Sequence, residues 1–397
     1  MLDVRGCGKF EEMTARPDAG NETGSGDLED EQLHVWRCAG GHRRAPLIPI
    51  MNQPKPPHLI EDEMELDDVL TRPRPVLVDF IRSISSPLVI LGAGGKMGPT
   101  LAVLARRAAE VAGHALRIVA VSRFSSLPAR NWLEERGIET LSADLLSGSE
   151  WGKLPDSTNV IHLVGLKFGT QDNPALTWAV NTLAPQRVAE RYPKARLVAL
   201  STGNVYPLVA ADGPGAVESH PLTPLGEYAN AAVARERIFE YVTEKNHTPT
   251  VLVRLNYAVE LRYGVLLDIA RKVYEGVAID LATGYFNCIW QGDANEMILR
   301  SFSLASCPPR PLNLTGTGIL AVRQVAARFG ELLGRPATLV GVEAPTALLS
   351  NTAQLRQTLG EPATSLDEVI RWIAHWVRKG GRTLGKATHF EVRDGKY

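Results

Sequence analysis

Three glycines at fixed spacing, Gly92, Gly95 and Gly98 in LVILGAGGKMGPTLA, are the first residues of this 397-residue chain whose types point to chemistry. They separate an apolar run that reads as a strand from a run with apolar residues at helical spacing. A tight strand-to-helix turn needs residues that tolerate positive φ, an approaching pyrophosphate needs bare backbone, and the helix needs a small residue to pack on the strand. The helix N-terminus adds free N–H groups and a partial positive charge. Gly92, Gly94, Gly95, Lys96, Met97 and Gly98 are therefore expected to hold the phosphates of a dinucleotide.

The end of the second strand decides which dinucleotide fits. An Asp or Glu there would accept from a ribose 2′-hydroxyl and repel a 2′-phosphate. This chain has Ser122 followed by Arg123. A hydroxyl and a guanidinium suit NADP, with NAD the alternative, and one such charged hydrogen bond contributes about 1.5–3 kcal/mol. Lys167, in HLVGLKFGT after the fourth strand, falls at the carboxyl edge of the sheet, where open α/β folds bind ligands. From that loop it could reach a substrate or the nicotinamide ribose.

The elements that must position these residues alternate. Apolar runs at 88–92, 116–122, 139–143, 159–164, 196–201 and 250–255 read as strands, with helical stretches between them such as MGPTLAVLARRAAEVAG and GEYANAAVARERIFEYVTEK. This pattern predicts an α/β fold, a Rossmann doubly wound parallel sheet over 87–255 with a smaller C-terminal substrate lobe over 256–397. Helices are expected in the lobe at 265–275, 294–305, 319–334 and 366–378. Residues 57–86 read as one or two short helices, and 1–56, rich in Gly, Pro and charge, as a disordered tail. Met51 or Met64 would also begin a chain that reads well from there.

Composition narrows the function classes. With 44% hydrophobic and 22% charged residues and a formal net charge of -1, the chain has no bulk attraction for nucleic acid. It shows no apolar signal core and no run near the roughly 18 apolar residues of a spanning helix, so a cytoplasmic location is expected. Cys7, Cys38, Cys288 and Cys307 lack metal-ligand spacing and read as reduced thiols.

With these residues in place, the chain from about Leu88 to Asp293 resembles the extended short-chain dehydrogenase/reductases, the NAD-dependent epimerase/dehydratase family. Gly92, Gly95 and Gly98 match its GxxGxxG, and Asp144 with Leu145 its acidic-apolar pair at the adenine. VIHLVG, ending in Leu163, Val164 and Gly165, matches the strand whose end passes the nicotinamide. Asn181 matches the asparagine of the helix behind the active site. LSTGNVYP puts Thr202 at the catalytic hydroxyl position, and Tyr228 matches the catalytic tyrosine. The resemblance implies an enzyme acting on a sugar, nucleotide sugar or related polyol, with a small-molecule substrate and a homodimer as one option. It also implies that the segment after the sixth strand borders the substrate, which makes Asn256, Arg262 and Tyr263 candidate contacts. Asp293 reads as a helix N-cap.

One departure matters. The family has a lysine four residues after the tyrosine, on the same helix face, where its charge favours the phenolate; this chain has Ala232. A free tyrosine ionises near pH 10, so without help the handicap at pH 7 is about 4 kcal/mol. Arg235 reads as poorly placed to substitute, which leaves Lys167 as the expected cation. The same departure motivates an alternative, a non-catalytic dinucleotide sensor.

Overall fold

All four residues of β1 (Leu88–Leu91) are buried, and alternate ones serve opposite layers. Leu88 and Ile90 join one apolar cluster, Val89 and Leu91 another. A strand covered on both faces in this way is the signature of a parallel sheet between helical layers. This computed structural model describes residues 57–396 except Ser126, Phe168, Thr170, Gln171 and Ala387. The segment 1–56, expected to be a tail, lies outside the described residues.

Seven parallel strands run in the order Arg310–Leu314, Thr250–Leu255, β5 (Arg196–Thr202), β4 (Asn159–His162), β1, β2 (Ile118–Ser122) and β3 (Glu139–Ser142). Two helices, α1 (Glu63–Thr71) and α2 (Pro75–Ile81), precede the sheet. Between its strands run α3 (Gly98–Val111), α4 (Leu127–Glu134), α5 (Pro174–Arg191) and α6 (Glu227–Asn246). The chain leaves β1 for α3 on one face and leaves β4 for α5 on the other, so the two loops diverge and open a crevice at the carboxyl ends of β1 and β4.

After the sixth strand come α7 (Val265–Glu275), α8 (Gln291–Arg300), α9 (Val322–Leu333), α10 (Ala353–Leu359) and α11 (Leu366–Arg378), of which α10 packs on the Arg310–Leu314 strand. Helices α7, α9 and α11 share one core, which α1 enters through Leu66 and Leu70. Helix α8 instead packs on α2 and α3. The seventh strand, Arg310–Leu314, arises within the segment read as the lobe; at the edge of the sheet its Pro311 sacrifices no interior ladder bond. That proline and the short RPLNL run hid it from a periodicity reading. Among the described residues no helix is long and apolar enough to cross a membrane, and Cys288 and Cys307 are free thiols.

Candidate active site

The glycine turn closes the crevice from one side. Gly92 has φ 85°, which favours glycine, and a Cβ there would lie 3.0 Å from Val164, the residue facing it after β4. At Gly98 a Cβ would stand 2.4 Å from the Ala93 carbonyl, so helix and strand pack as closely as they do only without a side chain. Gly94 lies against the Ser122 hydroxyl, whereas a Cβ on Gly95 would meet only the Gly92 carbonyl, at 3.3 Å. Gly95 thus leaves bare backbone facing space, and Met97 caps α3 behind it, its carbonyl accepting from Leu101.

Two cavities meet at this turn, sharing Gly92, Gly95, Leu163 and Gly165. One, of about 290 Å³, is bounded by Ser122, Arg123, Asp144, Leu145 and Val164. Arg123 is exposed on its rim, Leu145 is buried, and the Asp144 carboxylate is fixed by accepting from the Leu146 N–H at 2.9 Å. The other, of about 300 Å³, brings together Lys96, Lys167, Thr202, Tyr228, Asn256 and Tyr263. Residues far apart in sequence, from the turn, three strand ends, α6 and the second lobe, meet there.

Tyr228 opens α6, whose N-cap Gly226 has φ 86° and touches the Gly395 backbone so closely that no side chain fits. Its hydroxyl is hydrogen-bonded by the Arg235 guanidinium. Arg235 is thus well placed, contrary to the expectation from its spacing. Seven residues advance a helix by about 700°, roughly 20° short of two full turns, so Arg235 shares the Tyr228 face and its long side chain spans the gap. Arg235 is 5% exposed, donates to the Val164 carbonyl at 3.2 Å and lines the cavity. Burial pulls its pKa below the arginine norm, while Tyr228 and Glu236 act in the opposite direction. Gly165 makes room, since a Cβ there would stand 2.7 Å from the guanidinium. Ala232 is fully buried in a small apolar cluster with Val205, Tyr206 and Ala216.

Thr202, at the end of β5, is buried; its hydroxyl accepts from the Asn204 N–H at 3.2 Å and pairs with the Asn204 side chain. Behind it lies an ionic frame. Arg254 (3% exposed) grips Glu236 (0% exposed) with a contact at 2.7 Å and also donates to the Tyr206 hydroxyl at 2.7 Å. Ser201 donates to the same Glu236 carboxylate. The pairing lifts the Arg254 pKa despite its burial. Asn181 is fully buried and donates to the Thr177 carbonyl at 2.8 Å.

On the opposite wall, Lys96 Nζ donates to the Ala258 carbonyl at 2.9 Å and sits 3.7 Å from the centre of the Tyr263 ring. Burial pulls Lys96 down to about 7 and Lys167 to about 8, and pushes the Tyr263 phenol up to about 12. Other expected contacts are committed elsewhere. Arg262 does not line the cavity; it is bound by Glu63, Asp67 and Glu260 and ties α1 to the lobe. The Asn256 amide reaches Asn287 at 3.1 Å while the residue still borders the cavity. Asp293 is not an N-cap: it lies within α8, and its carboxylate accepts from the Thr364 N–H at 2.8 Å. The sequence reading missed Thr388, which reaches the cavity from the C-terminal stretch and is held by Asp268 at 2.6 and 3.0 Å.

A doubly wound parallel sheet with a glycine turn at its switch point defines a Rossmann-type α/β protein. Residues 88–277 match the model of the NAD dependent epimerase/dehydratase family. Among solved structures it is similar to the UDP-glucuronic acid 4-epimerase from Bacillus cereus in complex with NAD, at 14% identity and a TM-score of 0.62, covering 74% of this chain and 96% of that one. An epimerase from Methanothermobacter thermautotrophicus gives 19% identity and 0.64, covering 77% and 96%. The Thermus thermophilus UDP-glucose 4-epimerase complex with NAD gives 17% and 0.59, covering 74% and 99%. At these identities the likeness establishes fold. No curated protein sequence matches the chain.

Proposed function

We propose that this chain is an NAD(P)-dependent enzyme acting on a hydroxyl-bearing carbon of a sugar, nucleotide sugar or related polyol, as an epimerase, dehydratase or oxidoreductase. The observation that carries the proposal is the meeting of Tyr228, its Arg235 partner and Thr202 in one cavity that runs to the glycine turn. The bare backbone at Gly95 and the crevice between β1 and β4 suit a dinucleotide. Gly92 to Gly98 would hold its phosphates with the α3 N-terminus, Asp144 and Leu145 its adenine, and Ser122 and Arg123 its ribose. Leu163, Val164 and Gly165 would border its nicotinamide. NAD is the dinucleotide in the Bacillus and Thermus neighbours, whereas Ser122 and Arg123 favour NADP.

When bound, the dinucleotide takes or returns a hydride. The chain's own residues then manage the proton and the charge. Tyr228 receives the hydroxyl proton at its phenol oxygen or gives it back, and the Arg235 N–H aimed at that oxygen meets the negative charge that develops there. Thr202 holds the reacting oxygen, and Lys167 stands within the same cavity as a second cation.

Ala232 favours a second reading, a dinucleotide sensor without turnover. The Arg235 contact weakens it, because the cation lost at the fourth residue returns at the seventh. The test is to identify by mass spectrometry the small molecules released from the purified protein, then screen substrates with the dinucleotide found. Tyr228→Phe should lower turnover by about 10²–10⁴-fold with dinucleotide affinity nearly unchanged. Full activity in that variant would remove Tyr228 from the chemistry; tight dinucleotide binding without any turnover would favour the sensor.

A further inference from the structure

Lys96 follows Gly95 in the turn, yet both of its contacts, the Ala258 carbonyl and the Tyr263 ring, belong to the chain that opens the second lobe. Its ammonium therefore stands at the lobe side of the cavity. Lys167 lines the same cavity, close enough to disfavour a second positive charge on Lys96. Among the described residues no Asp or Glu contributes to the cavity lining. The carboxylates that act on Lys96 are engaged elsewhere, Glu260 with Arg262 and Asp268 with Thr388. Among the described residues none forms an ion pair with Lys96. An amine placed in a partly dehydrated cavity without a counter-ion is costly to charge, so such a wall is suited to a ligand that brings the negative charge. The ammonium has three N–H donors, of which Ala258 takes one. The Tyr263 phenol, held protonated by burial, adds another donor.

We propose that this cavity takes a carboxylate-bearing substrate, a sugar acid by class, and that Lys96 is the residue that reads the carboxylate, with Lys167 and Tyr263 beside it. The proposal rests on the reading of the cavity as a substrate site. It also carries a protonic signature. The groups facing Lys96 are Lys167 and Arg262, which disfavour its charge, Glu260 and Asp268, which favour it, and the Tyr263 ring. With burial holding Lys96 near 7, much of the amine is neutral at pH 8, and an arriving carboxylate favours the ammonium. Binding then draws in a proton, and affinity falls as pH rises above about 7.

The test is calorimetry on protein saturated with NAD or NADP, whichever binds more tightly. D-glucuronate is compared with D-glucose, D-galacturonate with D-galactose, and UDP-glucuronate with UDP-glucose, at pH 8 in two buffers of different ionisation enthalpy. At least one acid should bind tenfold or more tighter than its neutral counterpart and take up a proton. Lys96→Met should cancel both the preference and the uptake, with a loss in acid affinity at least tenfold larger than any loss in dinucleotide affinity. Lys96→Arg, permanently charged, should keep the preference and lose the uptake, and it carries the test should the methionine variant fail to fold. Equal affinity within every pair, or no binding by any acid, overturns the proposal. A Lys96→Met loss in dinucleotide affinity as large as that in acid affinity assigns the lysine to the pyrophosphate instead. Failure of the underlying enzyme reading shows separately, as absence of dinucleotide binding by the wild type or as dinucleotide binding with no turnover of any substrate, neutral or acidic.

Discussion

The two cavities that meet at the glycine turn have nearly equal volumes, about 290 and 300 Å³, but they are built by opposite means. The first is walled mainly by the ends of β2, β3 and β4 and by the turn itself, each a short local segment, with four glycines among its lining residues. The second is assembled from side chains that meet across the fold: Lys96 from the turn, Thr202 from β5, Tyr228 and Arg235 from α6, and Tyr263 and Thr388 from the lobe. A cavity shaped by backbone tolerates side-chain change. One assembled from charged side chains depends on the frame that aims them, here the buried pair of Arg254 and Glu236 that ties α6 to the sheet.

That difference predicts its largest effect in stability. Glu236→Gln leaves Arg254 charged, buried and without its counter-ion, and removing one partner of a buried pair costs about 3–5 kcal/mol. Urea unfolding should show this loss, whereas Asp144→Asn in the first cavity should change stability little, because that carboxylate is exposed. Replacing both partners at once, as Glu236→Leu with Arg254→Met, should recover much of the deficit. Equal stability of Glu236→Gln and wild type would mean that the pair frames nothing.

The next effect is catalytic. Arg235→Met removes a charged donor from the Tyr228 oxygen, an interaction of about 1.5–3 kcal/mol, so turnover should fall by roughly 10–100-fold. The loss should appear in kcat with KM little changed, because the contact matters most when the oxygen carries charge. Ala232→Lys should fail to restore activity and should destabilise the fold, since that position is fully buried among apolar neighbours. A gain of turnover in Ala232→Lys would show instead that the cation at the fourth residue is the one the site lacks.

Legibility in the sequence follows the same division. The glycine turn, the six strands from Leu88 to Leu255 and the long helices could be read because each is a local pattern with its own period or punctuation. Tyr228 and Thr202 could be placed only through family motifs, and the structure does bring them to one cavity. Arg235 differs from its sequence expectation because a long side chain at near two-turn spacing reaches back to the Tyr228 hydroxyl. Thr388 and the contact of Lys96 with Tyr263 carry no local signal at all; 167 positions separate that lysine from that tyrosine, and only the docking of lobe on sheet joins them. Arg262 failed for the opposite reason. Its position in the chain was right, but Glu63, Asp67 and Glu260 compete for it more strongly than an open cavity can.

The smallest predicted effect tests the first cavity where side chains do enter it. Arg123 is exposed on the rim beside Ser122, at the position where the ribose of a bound dinucleotide would be told apart. Exposure screens a guanidinium, so its contact with a 2′-phosphate sits at the low end of charge-assisted bonds, and Arg123→Ala should weaken NADP binding by roughly tenfold. NAD lacks the phosphate, so its affinity should stay within about twofold, and the NADP loss should shrink as salt is raised from 50 to 500 mM. Both dissociation constants can be measured by fluorescence titration on the same preparation. Equal losses for the two dinucleotides would show that Arg123 shapes the rim without reading the phosphate. The first cavity would then owe its choice of dinucleotide to backbone and to Ser122, which is the contrast with the second cavity in its sharpest form.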